Sequence, residues 1–321
     1  MKWRESSMNF GIIGTNWITD RFIKAAKQHP DFTIGAIYSR TTSKGQSFAE
    51  KYHVQNVYTN MEKMFKSGDI EAVYIASPNA LHAKQSILAM KYGIHVLCEK
   101  PAVTSVREID EVIEASQNYQ TTYMEAMKST VTPTFLNLKK NMDKIGPLRR
   151  IVFQFSRHAS AYDNYQAGII ENVFKPELGN GAKMDMGVYC ISPLIHLVGA
   201  PKSVQQNHYL LSTGADGQGS MYLKYDTFEA VMMYSKITDS YLPSEIQGEK
   251  GVIEIDKISD PKNVVIKYRN GETEMIGVNH KFDTMFYELE EFITCIKNKQ
   301  IESTINTHQK SREVIELLTQ K

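Results

Sequence analysis

Met8-Asn9-Phe10-Gly11-Ile12-Ile13-Gly14-Thr15-Asn16-Trp17-Ile18-Thr19 is the stretch on which the reading of this chain turns. Asn9 to Gly14 is a short apolar run of strand type, and Ile18 to Gln28 carries helical spacing, so a glycine-bearing turn joins a strand to a helix. That is where a dinucleotide-binding fold puts its phosphate turn. The first glycine of such a turn allows the tight bend, the second lets backbone approach a pyrophosphate, and the helix N-terminal amides hold the charge. With Gly14 as the first, Asn16 stands at the second and Thr19 at the third. Asparagine enters left-handed backbone conformations more readily than other non-glycine residues, so the turn stays workable. Its side chain is expected beside the phosphates, where the pyrophosphate shifts or gains a hydrogen bond from the Asn16 amide. An ordinary strand-turn-helix connection fits the same residues, because such folds also occur without the cofactor.

Outward from that turn the hydrophobic period keeps switching between 2 and 3.6, the mark of β-α-β units and a parallel sheet. Phe32 to Tyr38, Ala72 to Ala76, His95 to Cys98 and Thr121 to Met124 read as strands. Ser43 to Tyr52, Leu81 to Tyr92 and Val106 to Tyr119 read as helices. Pro133 and Gly146-Pro147 punctuate the exit, and a boundary falls near 125 to 147. Beyond it, Arg150 to Ser156, Val204 to Leu211, Ser220 to Tyr225, Glu229 to Ile237, Glu245 to Gly248, Val252 to Ile255 and Val264 to Tyr268 predict an open, mostly antiparallel sheet. A helix over Ala182 to Val198 interrupts it, and helices over Thr284 to Lys297 and Thr307 to Leu318 close the chain. The expected fold is therefore α/β: a doubly wound parallel sheet over 8–127, then an α/β domain over 128–321 whose terminal helices pack back on the first.

A length of 321 residues allows two domains, and the formal net charge of +1 favours neither nucleic acid nor an anionic membrane. Cys98, Cys190 and Cys295 lack CxxC spacing, which argues for a reducing compartment, the cytoplasm, and against a structural zinc site. Neither a signal-type apolar segment nor a membrane-span length of apolar residues occurs, and residues 1–7 read as a leader before Met8. His82, His95, His158, His196 and His208 have no ligand spacing, so no metal is expected.

Three places carry candidate chemistry. After the second strand, Ser39-Arg40-Thr41 replaces the acidic residue that NAD-selective folds use for the ribose 2′-hydroxyl; a hydroxyl donor and a guanidinium suit a 2′-phosphate, so NADP is preferred over NAD. Cys98-Glu99-Lys100-Pro101 leaves a strand at the sheet edge where ligands bind, and Pro101 fixes the backbone that aims Lys100. A lysine there can donate to a substrate hydroxyl or carbonyl, although the tetrapeptide equally fits a surface lysine before a loop. Asp185 and Tyr189 stand four apart and share a helix face, the tyrosine able to protonate a carbonyl oxygen and the aspartate able to orient substrate. A capping aspartate with a buried aromatic is the plainer alternative.

In order along the chain, Gly11-Ile12-Ile13-Gly14-Thr15, Ser77-Pro78-Asn79 with His82, Glu99-Lys100-Pro101, Glu125-Ala126-Met127, Asn172-Val173-Phe174, Gly179-Asn180-Gly181-Ala182 with Asp185-Met186-Gly187-Val188-Tyr189, and Ile246-Gln247-Gly248 resemble the glucose-fructose oxidoreductase, inositol dehydrogenase and MocA family. The match runs from Asn9 to about Lys297. The resemblance implies a Rossmann domain followed by an open-sheet domain, a nicotinamide cofactor facing a small hydroxyl or carbonyl substrate, and Lys100 as the catalytic lysine. Tyr189 stands where many members carry histidine, as in the glucose-fructose oxidoreductase and dihydrodiol dehydrogenase branches. The cofactor set it implies is Gly14, Thr15, Asn16, Trp17, Ile18, Ser39, Arg40, Ser77, Pro78, Asn79, His82, Glu99, Lys100 and Glu125. Asn180 replaces a glycine of the family's run, with Gly179 and Gly181 left to supply the turn. Lys128 replaces an aromatic or aliphatic residue and reads as a solvated lysine, with contact to an anionic substrate as the alternative.

The expected activity is hydride exchange between NADP(H) and a sugar, polyol or dihydrodiol carbon, with Lys100, Tyr189 and Asp185 as catalytic residues, in a homodimer or homotetramer. The competing reading is a non-catalytic dinucleotide sensor on the same fold.

Overall fold

The computed structural model describes residues 7–320; residues 1–6, most of the leader read from the sequence, lie outside the described residues. The chain forms two compact units. The first comprises the chain up to Met127 with Phe282–Arg312, the second Lys128–Lys281 with the segment from Glu313 onward.

In the first unit the chain runs β1 (Met8–Ile13), α1 (Trp17–Ala26), β2 (Phe32–Tyr38), α2 (Thr42–Tyr52), β3 (Asn56–Tyr58), α3 (Met61–Lys66), β4 (Ala72–Ile75), α4 (His82–Lys91), β5 (His95–Glu99), α5 (Val106–Tyr119) and β6 (Tyr123–Ala126). All six strands are parallel, in the order β3-β2-β1-β4-β5-β6. The order reverses between β1 and β4, the switch point that opens a crevice at the strands' C-terminal edge. The doubly wound sheet expected from the alternation is therefore present.

Beneath the sheet, Phe22 stacks on Tyr74 with ring centroids 3.7 Å apart, and Phe10 meets Phe32 and Phe292. Phe292 belongs to a late helix whose stripe of Phe286, Leu289, Phe292 and Ile293 is buried throughout. Each such side chain contributes about 1.5–3 kcal/mol of apolar burial. Asp283 starts that helix by accepting from Met285 N at 3.0 Å, and the Arg21 guanidinium bonds both of its carboxylate oxygens.

The second unit runs α6 (Pro133–Asn141), β7 (Leu148–Ser156), α7 (Ser160–Gln166), a π-helical turn over Lys183–Gly187, α8 (Val188–Val198), then β8 (Ser203–Leu210), β9 (Asp216–Lys224), β10 (Glu229–Ser235), β11 (Ser244–Gly248), β12 (Gly251–Ile255), β13 (Val264–Tyr268) and β14 (Thr273–Met275). Its eight strands lie in the order β14-β13-β12-β11-β7-β10-β9-β8. Only β7 and β10 pair in parallel, so the sheet is the mostly antiparallel one expected. α9 (Thr284–Lys297) and α10 (His308–Thr319) complete the chain, and the division between the units falls within α10.

Candidate active site

At the turn after β1, Gly14 adopts φ +109°, and a Cβ there would stand 2.4 Å from the Ala76 carbonyl oxygen, so only glycine fits. Asn16 corrects the expectation placed on it. Its backbone is extended, φ −110° and ψ 178°, so no left-handed freedom is called on. Its side chain is the N-cap of α1: Oδ1 accepts from Ile18 N at 3.0 Å and Thr19 N at 3.2 Å, while Nδ2 donates to Ala76 O at 2.8 Å. Asparagine thus locks the turn to the end of β4 and satisfies two amides that a helix start leaves open. Its amide is already engaged in the fold, and a pyrophosphate is left the earlier backbone of Thr15 and Asn16. Trp17 opens the helix with its side chain exposed.

Ser39, just past β2, is buried, its N–H bonded to Tyr58 O at 3.0 Å, while Arg40 is exposed. Among the described residues the Arg40 guanidinium has no carboxylate partner. A fixed hydroxyl-bearing residue beside an unneutralised guanidinium fits a phosphate monoester.

The turns after β4 and β5 are held together by His82, which is fully buried. Its Nδ1 lies 3.0 Å from Pro101 O and its Nε2 2.9 Å from Ser77 O, and burial lowers its pKa against the pull of those carbonyls. With both ring nitrogens engaged, His82 joins the Ser77-Pro78-Asn79 turn to the Lys100-Pro101 turn. Ser77 Oγ donates to Gln85 at 2.6 Å, Pro78 is exposed and Asn79 half-buried at the rim.

Lys100 emerges half-buried between two buried carboxylates, and its peptide bond to Pro101 is cis. Glu99 accepts from the Tyr74 hydroxyl at 2.5 Å and from Lys100 N at 3.3 Å. Glu125 accepts from Ala102 N at 2.8 Å and Ser311 Oγ at 3.1 Å. Burial pushes the Glu125 pKa up to about 7, opposed by those two donors and by the Lys100 charge. Both carboxylates therefore brace the lysine loop from inside the fold.

In the second unit, Gly181 has φ +151°, and a Cβ would meet Asp216 Oδ1 at 2.0 Å. Asp216 instead accepts from Lys183 N at 2.6 Å, and Asn180 donates to Asn172 O at 2.8 Å, so the turn survives without the missing glycine. The helix it starts is not α throughout. Lys183–Gly187 is a π turn, the kind of local widening that recurs at functional sites. Gly187 lets that turn sit against the Tyr234 ring, where a Cβ would come within 3.2 Å.

Asp185, on the π turn, forms an ion pair with Lys236, whose side chain is 3 % exposed. It caps nothing. Tyr189, in the first turn of α8, meets the Phe155 ring edge-on at 5.4 Å. Lys128 overturns its reading as a solvated lysine: it is 7 % exposed, donates to Ser259 O at 2.8 Å, and lies 5.4 Å from the centre of the Tyr189 ring.

Each unit thus gathers its own part of the candidate set: Gly14, Ser39, Ser77 and Lys100 at one sheet edge, and Asp185, Tyr189 and Lys128 around the π turn. Sequence reasoning missed Lys236, Tyr74 and Ser311. Lys236 had a readable signal, since it continues the buried alternation of Ala230, Met232 and Tyr234. Cys98 and Cys190 are buried, burial holding both thiols well above their usual range, which leaves them packing roles.

Residues 8–127 match the family described as an oxidoreductase family with an NAD-binding Rossmann fold, and residues 138–254 match the GFO/IDH/MocA C-terminal domain. The chain is 48% identical over 304 residues to scyllo-inositol 2-dehydrogenase (NADP(+)) IolU of Bacillus subtilis, covering 95% of this chain and 93% of that one. It is 26% identical to the trans-1,2-dihydrobenzene-1,2-diol dehydrogenase of Xenopus laevis, over 92% of this chain and 91% of that one. Among solved structures, an aldose-aldose oxidoreductase from Caulobacter crescentus, complexed with glycerol, shares the fold with a TM-score of 0.85 at 18% identity, over 97% and 95% of the two chains.

Proposed function

Since this chain belongs to the Gfo/Idh/MocA oxidoreductase family, we propose that it is an NADP-dependent dehydrogenase of neutral polyols, cyclic ones of the scyllo-inositol type foremost, with Lys100 and Tyr189 handling the hydroxyl proton. The observation that carries the reading is Lys100, on a loop held at the crevice edge of the sheet by Glu99 and Glu125. The NADP preference is supported by the Ser39–Arg40 pair and by the NADP(+) of the scyllo-inositol 2-dehydrogenase relative.

Bound NADP supplies the hydride acceptor for oxidation and, reduced, the donor for the reverse. The chain's own part is positioning and proton handling. The turn backbone at Thr15 and Asn16 would receive the pyrophosphate, and Arg40 would meet the 2′-phosphate. Lys100 Nζ donates to the reacting oxygen and stabilises charge that develops there. Tyr189 as phenolate takes the substrate hydroxyl proton on oxidation, and as phenol returns it on reduction. Asp185 orients a neighbouring substrate hydroxyl, its charge held by Lys236. In this reading residues 8–127 form the cofactor domain and 128–321 the substrate and oligomerisation domain, and the enzyme is a cytoplasmic homodimer or homotetramer. Three buried free cysteines support the compartment, and exposed Tyr209, Tyr222 and Met275 on strands of the second sheet support the assembly. Among the described residues no helix is long and apolar enough to cross a membrane.

The test is initial-rate oxidation of scyllo-inositol and other polyols by the full chain with NADP+ or NAD+, beside Lys100→Met. NADP+ reduction should exceed that of NAD+, and Lys100→Met should lose about 10²–10⁴-fold in kcat while binding NADPH within a fewfold of the parent. Near-full turnover in Lys100→Met removes the lysine from the chemistry.

A further inference from the structure

Lys128 occupies an expensive position. A lysine that buries its ammonium gives up hydration that a surface rotamer would keep, so something in the fold must use the charge. At this site the ammonium is anchored on one side by the Ser259 carbonyl at 2.8 Å and faces the Tyr189 ring on the other, 5.4 Å from its centre. The ring is fixed in turn by the edge-on contact with Phe155. A cation over an aromatic face restrains the ring, and a positive charge near a phenol favours its anionic form.

We propose that Lys128 is a positioning residue for proton transfer: its buried charge holds the Tyr189 ring in register and makes the phenol a stronger acid. The inference rests on the reading of Tyr189 as the proton-handling group. In the oxidation direction the phenolate takes the proton of the substrate hydroxyl as hydride leaves the carbon for NADP+, and in reduction the phenol gives it back. A phenol acidified in this way keeps a larger phenolate fraction at neutral pH.

In the proposed reading Lys100 also meets the reacting oxygen, so the effect of Lys128 is isolated by its own substitution with Lys100 kept. From the π turn comes Asp185, which is neutralised by Lys236 at the end of β10. From β7, the neighbours of Phe155 are the uncharged Gln154 and Ser156, with Arg157 just beyond and Arg150 paired to Glu229 at the far end of the strands. On α8 itself, burial pushes the Cys190 thiol up and keeps it neutral, and His196 is turned to the Ser192 carbonyl at 2.7 Å. Lys128 Nζ lies over the ring, 5.4 Å from its centre.

The experiment uses the full chain with tyrosines carrying an NMR-active carbon at Cζ, the Tyr189 signal being assigned by its loss in Tyr189→Phe. Lys128→Met should raise the Tyr189 titration by about one unit or more, and Lys128→Arg, which keeps a charge, should leave it near the parent value. The limb of the pH profile of kcat/KM for polyol oxidation should move in the same direction, about a tenfold loss at neutral pH for each unit. Lys128→Gln, which loses the charge but retains a donor for Ser259, gives the same reading should the methionine variant not fold; thermal melting and NADPH binding verify the fold. An unmoved Tyr189 titration in folded Lys128→Met or Lys128→Gln overturns the proposal, even if turnover falls. Near-full turnover in Tyr189→Phe overturns the underlying role of the tyrosine instead, so the two failures are distinguishable.

Discussion

The Lys100 loop of the first unit and the π turn of the second solve one electrostatic problem with opposite signs. In the first, one lysine leaves a strand between two buried carboxylates, Glu99 and Glu125. In the second, a carboxylate and a phenol leave a helix between two buried lysines, Lys236 and Lys128. Each unit therefore carries its own counter-charges, already desolvated and bonded to backbone or to fixed side chains. The difference lies in how the counter-charge is held. Glu125 accepts two neutral donors and is poised to titrate, whereas Lys236 sits in a direct ion pair.

That difference predicts opposite behaviour under perturbation. Glu125 has a folded-state pKa raised from 4.5 to about 7, so the native chain holds its proton more tightly than the unfolded one. Its contribution to stability is complete below about pH 4.5 and is lost as pH rises to about 7, roughly 3 kcal/mol in all. Glu125→Gln removes the titration. Urea unfolding at about pH 4.5 and about pH 8 should show the parent losing roughly 3 kcal/mol relative to the variant; parallel pH dependences would remove Glu125 from the comparison.

The ion pair should respond to deletion. Asp185→Asn strands a buried Lys236, a cost of about 2 kcal/mol, set below the usual penalty for a broken buried pair because the Asp185 side chain is 37% exposed and partly screened. Adding Lys236→Met should recover most of that loss in the same urea assay. Additive losses in the double variant would show that the two residues do not act as a pair.

Much of this was legible in the sequence, and the exceptions have physical reasons. Phe32–Tyr38, Val106–Tyr119 and Val264–Tyr268 fall where periodicity put them, because each buries one face or two over several residues. β3 and α3, of three and six residues, are too short to show a period. α6 was hidden by its own start: Pro133, read as a stop, is the first residue of a helix capped by Thr132, a position where proline needs no N–H. The π turn has no sequence signature, since it is a choice of hydrogen-bond register made by packing against β10.

At the site, residue identities were readable but burial was not. Asn16 looked like a damaged glycine and is a helix cap; His82 and Glu125 carry bracing hydrogen bonds that no motif announced; Lys128 looked solvated and is enclosed. In each case the deciding partner, Ala76, Pro101, Ala102 or Ser259, lies distant in sequence and carries no pattern of its own.

Hydride transfer is tested most directly with scyllo-inositol deuterated on its ring carbons, incubated with the full chain and NADP+, and mass analysis of the nicotinamide product. Deuterium on the nicotinamide ring of NADPH, formed by the parent and suppressed in Lys100→Met, is the predicted result. NADP+ bound by the chain with no deuterium transferred from this or any other polyol or sugar would contradict the assignment and leave a dinucleotide-binding protein without the chemistry.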